Sequence, residues 1–298
     1  MAFRKVLIIA DIEGSSECFN YEASSYKTAS WPAACLGMTR DVKAVTEALL
    51  EAGVESIIVK DFHRTGYNVM KEYLDSRVQL VSGYQYGPVP GLGDPGESEA
   101  LMMTGMHAPS GSSGFLAHTM TSRISKLMVN GETVSEAQIF SASLAKWNIS
   151  PVFYSACPVA CSQASEKLTG INTWSIDKSG GPGSLDTESW RTGLAHAAVS
   201  SLTSTSVKPY QMNGPFDVSI TMRDGEEVAA KLARRWKLSY RGASLFFKSD
   251  SFDEFYQTLI RLCYLTPLIE KIAPAALPLY NLYGAMGLNW ARRRLKTS

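Results

Sequence analysis

Histidine is scarce in this chain, with four in 298 residues, so each one can be asked what it is for. Cysteine is also sparse. Five residues, an odd number at low density, exclude a disulfide framework. Neither charge sign dominates: 29 Lys and Arg stand against 28 Asp and Glu. A net charge of +1 gives no electrostatic reason to expect a nucleic acid partner. There is no long hydrophobic run. Residues 272–282 form the longest uncharged apolar stretch, which is too short to span a bilayer and holds Pro274 and Pro278. Val6 to Ala10 are apolar, but Asp11 follows at once, where a secretory signal needs a longer core, so the expected location is the cytoplasm. No Gly-x-Ser-x-Gly elbow occurs, which removes the main signal for that class of serine hydrolase. Gly91-Leu-Gly93-Asp-Pro-Gly96 has the spelling of a dinucleotide loop, but it follows Pro88-Val-Pro90 and contains Pro95, so it lacks the strand before it and the helix after it. Cys157 and Cys161 have no His or second Cys pair nearby and read as buried thiols.

What remains is globular. Hydrophobic residues make up 45% and charged residues 19%, which excludes a wholly disordered chain. The first 200 or so residues alternate short apolar runs (5–10, 56–60, 78–82, 100–105, 151–155) with helical patterns (39–52, 135–147, 189–201). Strands separated by helices predict a Rossmann-like, mainly parallel sheet with helices on both faces. Residues 125–133 break the rhythm and read as a hairpin turning at Asn130-Gly131. A Ser, Thr and Pro-rich segment from 201 to 214 suggests a boundary, giving a catalytic domain over 1–205 and a smaller α+β domain over 206–298, expected to serve oligomerisation. The tail from Pro267 is apolar and aromatic and ends in Arg292-Arg-Arg294. It reads either as a helix packed on its own domain or a neighbouring subunit, or as a membrane-surface helix with a basic end. The first reading is preferred because Pro and Gly interrupt the segment.

The chemistry-bearing residues fall where these strands end. Asp11 and Glu13 close the first, and residues two apart in a strand point the same way. Both carboxylates then face one spot at the carboxyl edge of the sheet, where open α/β sheets place ligands. Two like charges so close call for a cation. Asp61 and His63 repeat the device after the second strand, and His107 follows a third. His118 lies eleven residues beyond, after the small-residue loop 108–114. His196 sits within a helix and reads as structural. Glu136 opens a helix that Ser135 can cap, with Glu132 competing for the same role. Mixed carboxylate and imidazole ligands suit zinc, manganese or iron. Five ligands exceed the need of one tetrahedral zinc, and a two-metal site bridged by Asp11 would use the surplus. His118 beside it would act as general base, acid or nucleophile.

The stretches Ala10-Asp-Ile-Glu-Gly14, Asp61-Phe-His63, Thr104-Gly-Met-His-Ala108, Ala117-His-Thr-Met120 and Val129-Asn-Gly-Glu-Thr-Val-Ser-Glu136 together resemble the zinc-dependent D-aminopeptidases associated with bacterial dipeptide-transport operons. The resemblance runs over roughly residues 5–160. It implies two zinc ions per subunit held by Asp11, Glu13, His63, His107 and Glu136, with His118 as the catalytic nucleophile or base. It also implies a short D-amino-acid peptide as substrate and a ring-shaped homo-oligomer, a decamer. The chain departs from the family pattern at Ser15-Ser-Glu17, at 179–184, where an Arg is missing, and in its longer apolar tail. Those departures keep two further readings open: another metallo-amidase or esterase on the same scaffold, and a non-enzymatic metal-binding scaffold protein.

Overall fold

The computed structural model describes residues 2–297. Along the chain run β1 (Lys5–Ala10), α1 (Trp31–Glu51), β2 (Ser56–Asp61), β3 (Val78–Val81), β4 (Ala100–Thr104), the hairpin strands β5 (Ile124–Val129) and β6 (Glu132–Thr133), α2 (Glu136–Leu144), β7 (Ser150–Ala156), α3 (Pro158–Lys167), β8 (Asn172–Ser175) and α4 (Thr187–Ser201). Then follow β9 (Phe216–Met222), α5 (Glu226–Trp236), β10 (Ser239–Arg241), β11 (Ser244–Ser249), α6 (Phe252–Tyr264) and α7 (Pro267–Leu295).

Six of the strands form an all-parallel sheet in the order β3-β2-β1-β4-β7-β8. The five apolar runs predicted as strands are β1, β2, β3, β4 and β7, and the continuous hydrophobicity of β1, β4 and β7 reflects burial on both faces. Alternation along β1 divides its side chains between two cores. Val6, Ile8 and Ala10 pack with Met38 and Val42 of α1 and Leu194 of α4. Leu7 and Ile9 pack with Phe140 of α2, Ala160 of α3 and the second sheet. That second sheet is antiparallel, in the order β10-β11-β9-β5-β6. It draws strands from both sides of residue 205, because the hairpin β5–β6 pairs along β9. The hairpin turns at Asn130-Gly131 with φ of 52° and 83°, the left-handed pair a type I′ turn requires. Within the smaller α+β region, β10 and β11 pair antiparallel. Helix α3 and strand β8 were not anticipated.

The tail is a helix, as both readings of it had it, but without the expected interruption. Helix α7 runs unbroken through Pro274 and Pro278. Its C-terminal half is anchored: Leu288 and Ala291 are buried, Trp290 stacks on Trp31 of α1, and Arg292 forks onto Glu72 with two contacts of 2.7 Å. Thr266 caps its start, and Arg261 of α6 reaches Glu270 at 2.7 Å. Fixing both ends offsets the backbone bonds lost at the prolines. Among the described residues no single helix is long and apolar enough to cross a membrane.

The parallel sheet changes winding direction between β1 and β4, so the loops after these strands diverge and leave a crevice at its carboxyl edge. Two glycines let the backbones meet there. A Cβ on Gly105 would stand 2.1 Å from the Asp11 carbonyl oxygen, and one on Gly14 2.3 Å from that of Met106. Gly105 also holds φ of 71°.

Candidate active site

All six residues singled out in the sequence reach one cavity of about 580 Å³ at this edge. Asp11 and Glu13 follow β1, His63 follows β2, His107 follows β4, and Glu136 is the first residue of α2. Each of these five is buried. Asp11 reaches in two directions. Its Oδ1 lies 2.9 Å from His63 Nδ1, and its Oδ2 lies 3.4 Å from His107 Nε2. Glu13 Oε2 stands 3.2 Å from the same His63 nitrogen, and Glu136 Oε1 3.5 Å from His107 Nε2. Asp11, Glu13 and His63 form one group, with ligand atoms all within 4.8 Å of one another. His107, Glu136 and His118 form a second group within the same limit.

The surroundings fix which ring nitrogens face inward. His63 Nε2 sits 2.7 Å from the Ser24 carbonyl, so it carries the proton and leaves Nδ1 for the carboxylates. His107 Nδ1 is 3.1 Å from the Ala108 carbonyl, which leaves Nε2 free. That Nε2 and Glu13 Oε2 are buried with no hydrogen-bond partner. Three buried carboxylates, two imidazoles aimed at them and two orphaned ligand atoms fit a cation pair better than they fit a hydrogen-bonded core.

Electrostatics agree. Burial opposes charge on Asp11, yet the neighbouring His107 and His63 imidazoles hold it well below the usual carboxylate range. Burial also opposes charge on His63, but Glu13 and Asp11 outweigh it and lift the imidazole to about 10. His107 is raised the same way by Glu136 and Asp11, against its burial. In chelator-stripped protein, protons on these rings do the work of cations. A folded-state value near 10, above 6.5 for the unfolded chain, adds stability that is full below about pH 6.5 and lost as pH rises towards 10. The denaturation midpoint of the stripped protein is therefore expected to fall between pH 7 and 10 relative to protein reloaded with zinc. Lys178 titrates with the opposite sign over part of this window, and the stripped-minus-reloaded difference cancels it. Equal pH dependence in the two forms would contradict the assignment of these rings.

His118 is set differently. Its ring stacks on His107 with centroids 3.7 Å apart, and Nδ1 lies 2.8 Å from the Leu116 carbonyl. Nε2 is left with its lone pair. Burial, and then the neighbouring His107, push its pKa below the ordinary value, so it is neutral at pH 7. Leu116 (φ 46°), Met120 (φ 63°) and Arg64 (φ 49°) all hold left-handed backbone beside the ligands. Such strain concentrates at sites whose geometry is imposed by the surrounding fold.

Glu132 and Glu136, which the sequence left in competition, are separated by burial. Glu132 is exposed and pairs with Lys167 at 3.1 Å, while Glu136 Oε1 accepts the Met120 N–H at 2.6 Å. Ser135 and Gln138 form a capping box that fixes the α2 terminus beneath it. Asp61 lies on the cavity wall, but its carboxylate holds Asn68 and Val69 rather than joining a ligand group. His196 is exposed on α4, away from the site. Sequence reasoning missed Lys178, whose buried ammonium donates 2.6 Å bonds to the carbonyls of Glu13, Ser15 and Cys18. It thereby holds the loop that carries Glu13. Burial lowers it to about 8.

A model of the D-aminopeptidase family matches residues 4–260. The chain belongs to this family. Its members are metallo-aminopeptidases, so the protein is an enzyme of that class. No curated protein matches the sequence. Among solved structures, one titled a zinc-dependent D-aminopeptidase, DppA from Bacillus subtilis, a self-compartmentalizing protease, superposes with a TM-score of 0.79 at 18% identity. The match covers 87% of this chain and 97% of that one. At that identity the likeness establishes a shared fold. The family match ends within α6, before α7 begins.

Proposed function

We propose that the protein is a dinuclear zinc aminopeptidase that removes the N-terminal residue of short peptides of D-amino acids. The observation that carries this reading is Asp11, whose two carboxylate oxygens face two separate groups of ligand atoms. Asp11, Glu13 and His63 would hold one ion, and Asp11, His107 and Glu136 the other. Manganese would suit the same donors. When bound, such ions polarise a peptide carbonyl and lower the pKa of water. Glu13 and Glu136 orient and neutralise the pair. Lys178 and the Ser24 carbonyl fix the ligands' positions. His118 Nε2, neutral and unencumbered, takes a proton from the attacking water and gives it to the leaving amine. The cavity is large enough for a peptide of a few residues.

Assembly into a homo-oligomer, ten copies by the resemblance drawn from the sequence, belongs to the same proposal. Its support is the description of DppA as self-compartmentalizing and the exposed Leu268, Leu279, Leu282 and Met286 on α7. The test of function is a panel of D- and L-dipeptides, N-acetylated dipeptides and simple esters, assayed with zinc or manganese. Cleavage of free-amine D-dipeptides at least about tenfold faster than their L-counterparts is expected. Preference for esters or blocked peptides would instead support another metallohydrolase on this scaffold.

A further inference from the structure

One wall of the active cavity comes from an element that the family match does not include. Ile269, Ala273, Ala276, Leu277 and Tyr280 of α7 line it. Their spacing places them along one side of the helix. Ala273 and Ala276 leave recesses between the larger Ile269, Leu277 and Tyr280. The position of α7 is set by contacts beside these wall residues. Asn281 Oδ1 accepts the Tyr84 N–H, Tyr26 donates to the Tyr283 carbonyl at 2.6 Å, and Gly287 lies against the Tyr26 ring. Tyr264, just before α7, donates to the Met120 carbonyl, close to His118. The wall is therefore registered against the site.

The cavity has no acid free to receive a cationic side chain. Of its four acids, Asp11, Glu13 and Glu136 belong to the ligand groups, and Asp61 is held by Asn68 and Val69. The cations on its lining, Lys60 and Arg64, repel a further one, and the rest of the α7 side is apolar. We propose that α7 is the specificity wall of this enzyme, selecting short peptides with a bulky apolar side chain and rejecting those with a cationic one. This rests on the aminopeptidase reading and adds to it which peptides are taken.

The test uses the full chain with zinc and four D-dipeptides: Ala-Ala, Phe-Ala, Ala-Phe and Lys-Ala. The wild type is expected to show a KM for one or both Phe peptides at least about tenfold below that for Ala-Ala and Lys-Ala. Ala273→Trp, which fills a recess at a half-buried position, should raise the Phe-peptide KM about tenfold and leave Ala-Ala within about threefold. Leu277→Asp should bring the Lys-Ala KM down towards that of the Phe peptides. Metal content and melting temperature of both variants should match the wild type. Equal KM for all four peptides in the wild type, or a uniform loss across peptides in both variants with fold and metal intact, would overturn the inference. Calorimetric binding of the same peptides separates the two readings. Apolar-selective binding that α7 substitutions abolish, without cleavage, would sink the aminopeptidase reading and support the wall. Cleavage without selectivity would sink the wall alone.

Discussion

Asp11→Ala is expected to lose nearly all bound metal and at least about a thousandfold in kcat/KM, the largest effect of any single change in this protein. Elemental mass spectrometry of protein purified without chelator should give about two metals per chain for the wild type and well below one for the variant. The reason is geometric. Asp11 alone presents one oxygen to His63 and the other to His107, so removing it takes a ligand from both groups together. Glu13→Ala or Glu136→Ala touches one group each and should lower content by about one metal. Asp11→Asn keeps the shape and the acceptor for the Ile12 N–H, 2.8 Å away, and guards against misfolding as the cause. Full metal content in both Asp11 variants would refute the bridge. A wild type that takes up neither zinc nor manganese would refute the dinuclear zinc reading.

His118→Ala is the second large effect. Turnover should fall by about a hundredfold to ten-thousandfold, the range for a lost acid–base group, while two metals remain bound. The pH–rate profile carries the stronger test. Because the imidazole is held below its ordinary value, the wild-type acid limb should lie below pH 6.5 and should be missing from the residual activity of the variant. The second ligand group also includes His118, so the metal assay decides between two roles. Loss of one metal in His118→Ala would make the residue a ligand, and normal turnover would remove it from the mechanism.

How far the sequence revealed the site follows from which physics each residue obeys. Asp11, Glu13, His63 and His107 were legible because local rules place them. A buried apolar strand announces itself, and the residues just beyond it must lie at the sheet's carboxyl edge. Glu136 was legible only as one of a pair, because burial, which separates it from Glu132, depends on how the hairpin packs. Lys178 was missed. Its three acceptors lie some 160 residues away in sequence, and nothing local distinguishes it from a surface lysine. The hairpin's share in the antiparallel sheet was hidden likewise, since strand pairing across residue 205 is a long-range choice. Helix α7 was legible as a helix, but not as an unbroken one. Proline is a strong local signal against a helix, and here anchoring at both ends overrides it.

The Lys178 ammonium has a consequence of its own. Three backbone carbonyls converge on this one positive centre. By supplying that charge from its own chain, the protein holds the Glu13 loop. The position of the catalytic edge is thereby tied to the protonation of one lysine, which burial lowers to about 8.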